Sequence, residues 1–78
     1  MELLVIDILA RDGALLGTRM RELDGHLNLE DAKELWGENG AFDKTHELIT
    51  QACILDGWES DHLWRVFNKA LESTFNGP

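Results

Sequence analysis

Three observations predict an all-α protein, a compact bundle of four to five short helices. Apolar residues recur at three- and four-residue spacing in several segments, glycines stand where such segments would end, and the one proline, Pro78, interrupts nothing. Seventy-eight residues leave room for one core only, so 1–78 is expected to form a single small acidic domain.

Residues 1–25 carry two competing patterns. As helices, they place Asp7 and Arg11 as an i,i+4 acid–base pair in the favourable order, and they align Leu16, Met20 and Leu23 on one stripe of a second helix. The alternative is an α+β fold, an N-terminal β-hairpin packed on three helices. Asp12-Gly13 between apolar runs is a hairpin signal, and Val5, Ile6 and Ile8 favour strands. Pairing across that turn sets Leu4 opposite Arg21, Ile6 opposite Arg19 and Val5 opposite Met20, so neither sheet face is apolar. The helical reading is preferred.

Asn28 opens the next helix, with Asp31 three residues on as an imperfect capping box. Leu29, Ala32 and Trp36 line its apolar stripe, widened by Leu35. A further helix is expected over 41–56, with Leu48, Ile49, Ala52, Cys53 and Leu55 facing inward and Asp43, Lys44, Glu47 and Gln51 outward. The last helix has Ser60 as its expected N-cap and Asp61 in its first turn, where the helix dipole favours negative charge. Leu63, Phe67, Ala70, Leu71 and Thr74 form its inner face, flanked by Trp64 and Phe75. Glycine after Asp12, Asp24, Trp36 and Asp56 marks the expected helix ends.

Few chemistries fit this composition. A single cysteine, Cys53, permits no intramolecular disulfide and fits a reducing compartment. No basic stretch follows Met1 and no apolar run spans a bilayer. The expectation is a cytoplasmic protein with no membrane association, in the host cytoplasm if phage-encoded. A pI near 4.6 argues against direct nucleic-acid binding. Gly-rich phosphate loops, nucleophile elbows and Cys-x-x-Cys are absent. His26, His46 and His62 lack metal-ligand spacing, and Cys53 falls on an apolar face. Neither catalysis nor a cofactor is expected. One metal alternative is a degenerate EF-hand: anchored on Gly25, Glu22 is third, Asp24 fifth, Leu27 eighth and Asp31 twelfth. Met20, however, would hold the first position without a ligand.

Charge is the sharper signal. Residues 1–21 are neutral and 62–78 carry net +1, while 22–61 hold eleven acids against Lys33 and Lys44, net −9. Trp36 and Trp58 sit beside glycines near the ends of that stretch. Glu30, Glu34 and Glu38 follow i,i+4 spacing next to Asp31 and should form one solvent-facing stripe, extended by Glu47, Glu59 and Asp61. The expected function is non-enzymatic: a stoichiometric inhibitor or regulator whose acidic face, with Trp36 and Trp58, docks on the basic, nucleic-acid-binding surface of a partner protein. In size and charge the chain resembles phage-encoded inhibitors such as anti-CRISPR and anti-restriction proteins, a likeness carried by no motif. An adaptor or regulatory subunit docking through apolar helix faces is the rival reading. A small core with apolar flanks also makes a homodimer reasonable.

Overall fold

Four helices account for the architecture of the computed structural model: α1 (Glu2–Asp24), α2 (Leu29–Glu38), α3 (Asp43–Asp56) and α4 (Ser60–Asn76). It describes residues 2–77, with no statement for the side chains of Glu2 and Leu3; Met1 and Pro78, and with them the ends of the expected 1–78 domain, lie outside the described residues. No strand occurs among the described residues, so the hairpin alternative is overturned.

The reason lies in how α1 meets α4. The helix passes straight through Asp12-Gly13, which was expected to be a break, because Gly13 and Gly17 lie on the face that α4 approaches. A Cβ at Gly13 would stand 2.5 Å from the Phe67 carbonyl oxygen, and one at Gly17 would collide with Thr74 Oγ1 and the Leu71 carbonyl. These two glycines, one turn apart, are therefore the spacers that let two helix backbones come close. Glycine costs helix propensity, about 0.5–1 kcal/mol relative to Ala. The dispersion contacts of a close helix pair offset that cost. The pairing also fixes direction. Gly13 faces Phe67 and Ala70, Gly17 faces Leu71 and Thr74, and Arg21 lies against Gly77, so α1 and α4 run parallel. The α2–α3 segment carries the chain back between them.

The core follows the two facing stripes. Leu9 and Met20 of α1 are fully buried, as are Leu63, Phe67 and Leu71 of α4, with Phe75 closing the end. Phe75 was expected only on the flank. Leu23, expected on the inner stripe of a second helix, is exposed because the single long helix turns it outward. From α3 come Thr45, Ile49 and Ala52, spaced i, i+4, i+7. The expected inner position of Leu55 is incorrect: at 76% exposure it belongs to the last turn, beyond the reach of α4.

Helix ends show where local signals held. Asn28 caps α2, its side-chain oxygen accepting the Asp31 backbone N–H at 2.8 Å. Gly57 ends α3 in the left-handed region at φ 71°. Trp36-Gly37 does not end α2; the helix runs on to Glu38, and Gly40 at φ 83° makes the turn instead. α3 accordingly starts at Asp43, two residues later than expected. Ser60 is the first helical residue of α4 and not its cap; Glu59 holds that position without a side-chain cap bond.

Candidate protein-docking face

Helix α2 is short and strongly two-sided. Ala32 is fully buried, Leu29 and Trp36 are half-buried beside it, and the Trp36 indole N–H donates to Asp24 Oδ2 at 2.8 Å. That bond ties α2 to the end of α1. The opposite face presents Glu30, Asp31, Glu34 and Glu38, all exposed. The one base in the helix, Lys33, does not neutralise them. Its Nζ turns toward α4 and donates to Asn68 Oδ1 at 3.0 Å. The sole ion pair among the described residues is the expected Asp7–Arg11, at 3.8 Å on the far side of α1. Four carboxylates in ten residues therefore face solvent with no cation of the described residues in ion-pair reach.

A second acidic area lies where α3 hands over to α4. An open cleft of about 570 Å³ is lined by Asp56, Glu59 and Asp61, by Arg65, and by the stacked rings of Trp58 and His62. Those rings are 5.7 Å apart between centroids and tilted by only 12°. The Trp58 indole N–H is buried without an acceptor among the described residues. The corner sits at the start of α4, whereas α2 touches α4 at Asn68, about 12 Å further along at 1.5 Å per residue.

The residues expected to act together thus fall into groups. Glu30, Asp31, Glu34 and Glu38 form the α2 stripe, and Trp58, Glu59 and Asp61 share the corner. Glu47 is exposed on α3. Trp36 points away from the stripe and into the fold. Sequence reasoning missed His62 and Arg65 as neighbours of Trp58. The i,i+4 and i,i+7 spacing from Trp58 was available, but the chain between them is not helical until Ser60.

The EF-hand register does not form. Glu22 and Asp24 lie in α1, Met20 is fully buried, and the Asp24 carboxylate is engaged by Trp36. No cluster of three His, Cys, Asp or Glu side chains with metal-binding geometry occurs among the described residues. No described helix is long and apolar enough to cross a membrane. Comparison with protein-family models, curated proteins and solved structures gives no match to this chain.

Proposed function

We propose that the protein acts by stoichiometric binding, its acidic faces docking on a basic surface of a partner protein that otherwise holds nucleic acid. The observation that carries this reading is the diversion of Lys33 to Asn68, which leaves the α2 stripe without a counter-charge among the described residues. A solubilising surface interleaves both signs; here four carboxylates stand together, and a basic partner supplies what the fold withholds. Long-range attraction of this kind raises the rate of encounter. The corner cleft adds a place for one basic side chain. Carboxylates of Asp56, Glu59 and Asp61 outnumber the one cation of its lining, Arg65, and meet its charge, and the face of Trp58 not stacked on His62 meets its stem. In an inhibitor, such a surface would compete with DNA or RNA for the partner.

The test uses basic proteins retained on heparin from a cell extract, offered to the immobilised chain at low and at physiological salt. The expected result is capture of a defined partner, displaced by added duplex DNA and lost in the Glu30→Lys, Glu34→Lys, Glu38→Lys variant. Equal capture by the reversed variant would overturn the reading.

A second reading keeps a specific observation. Ile54 and Leu55, 75% and 76% exposed, precede Asp56 in the last turn of α3 and suit an adaptor that docks through apolar contacts. Such binding would lose little affinity with added salt.

A further inference from the structure

Helices α1, α3 and α4 do not close completely where α3 begins. An open pocket of about 290 Å³ remains there, with Leu16, Ala41 and Phe67 as its apolar floor. Arg19, Lys44 and Asp12, all exposed, supply the charges of its lining. Neither cation makes an ion pair or a side-chain hydrogen bond among the described residues. Thr45 is an independent feature of the same place. It is 7% exposed and lines the pocket, and its hydroxyl makes no hydrogen bond among the described residues. The Thr18 and Thr74 hydroxyls, in contrast, each donate to the carbonyl four residues back. A hydroxyl in so buried a side chain calls for an acceptor. The backbone adds further donors. Phe42 at the N-cap of α3 gives no side-chain bond, and the Lys44 and Thr45 N–H groups meet no backbone acceptor among the described residues. Such first-turn groups carry the positive end of the helix dipole.

We propose that this pocket binds a small monocarboxylate with an apolar body. The carboxylate lies at the first turn of α3 with Arg19 and Lys44 as its counter-charges, and it accepts from the Thr45 hydroxyl and the free N–H groups. The apolar body covers Leu16 and Phe67, with Leu15 beside it. Charge selects an anion, because two cations stand against Asp12 alone in the lining. The floor selects the body, since a bare inorganic anion leaves the apolar side chains wet. The volume fits a small ligand only, at the lower end of the roughly 300–1,000 Å³ usual for such sites. Exposed cations around an open pocket make the binding weak, on the order of millimolar. The pocket shares no residue with the α2 stripe or the corner cleft, so it stands or falls independently of the proposed function.

Titration of the full chain with sodium benzoate at constant ionic strength, followed by two-dimensional proton–nitrogen NMR, tests this. The expected result is saturable shifts of the Lys44 and Thr45 amides, with a Kd on the order of millimolar. Benzamide keeps the shape without the charge, and sulfate keeps charge without the apolar body. Each should bind at least about fivefold more weakly than benzoate. Arg19→Gln and Lys44→Gln should each weaken benzoate binding about two- to fivefold, with the melting temperature unchanged. Thr45→Val keeps the side-chain shape and removes the hydroxyl, and should weaken it at least about twofold. Asp12→Asn, which removes the one acid of the lining, should tighten it. Shifts that do not saturate would overturn the proposal. So would benzamide or sulfate binding as well as benzoate, or full affinity in the Arg19→Gln, Lys44→Gln double variant.

Discussion

Two glycines in helices of the same protein have opposite roles, and a methyl group distinguishes them. At Gly17 an added Cβ meets Thr74 Oγ1 and the Leu71 backbone carbonyl, neither free to retreat without moving α4. Gly17→Ala should therefore lower stability by about 1–3 kcal/mol through overpacking, despite the better helix propensity of Ala. At Gly37 the added Cβ meets only the Phe42 ring, at 3.4 Å and 3.5 Å, which is ordinary contact. Gly37→Ala should raise stability by about 0.5–1 kcal/mol. Chemical denaturation of both variants checks the pair, and the same sign for both would refute the spacer role of Gly17. Phe67 is the other residue on which much depends. It is 1% exposed and meets Phe42 and Trp64 edge-on, at 6.0 Å and 5.9 Å between centroids. Phe67→Ala should cost about 3–5 kcal/mol, enough to unfold a domain this small. An unchanged melting temperature would contradict its central place.

At the scale of helices, caps and packing faces divide the work. Asn28 satisfies an orphan N–H of α2, and Asn28→Ala should cost about 1 kcal/mol, read as a fall in melting temperature. α4 lacks such a bond, since Glu59 at its N-cap makes none. Glu59→Ser should accordingly stabilise the protein by about 0.5–1 kcal/mol; no gain on thermal melting would show that the cap position is already satisfied by solvent. Much of this level was legible in the sequence. Asn28, the apolar spacing of α4 and the left-handed Gly57 are local signals whose partners lie within one turn. Ser60 was misjudged by one residue because Glu59 already has extended geometry and leaves Ser60 to start the helix.

For the molecule as a whole, the question is what its uneven charge does. Glu30, Glu34 and Glu38 repel one another along α2, and like pairs at i,i+4 cost about 0.2–0.5 kcal/mol each. The Glu30→Lys, Glu34→Lys, Glu38→Lys variant should therefore melt at the same temperature or slightly higher. Partner binding by the unaltered chain should weaken steeply from low to physiological salt, where screening acts within about 8–10 Å. A large stability loss in that variant would mean the carboxylates have a structural role, against their exposed position. The molecule is also thin, 15 Å in its shortest dimension. A core this shallow leaves Leu4, Leu15, Ile54 and Leu55 outside it.

Helical class, the cap at Asn28, the Asp7–Arg11 pair and the outward acidic stripe of α2 were determined by the sequence itself, because each depends on residues within a few positions of one another. Tertiary structure decided the rest. Whether Asp12-Gly13 turns or continues depends on what α4, more than fifty residues later, presses against it. Whether Lys33 neutralises the stripe depends on Asn68, and whether Trp36 faces a partner or the core depends on Asp24. Glycine and lysine accept several environments locally at similar cost. Only the chain that packs against them chooses, because its backbone sets the available space and its polar atoms set the available partners.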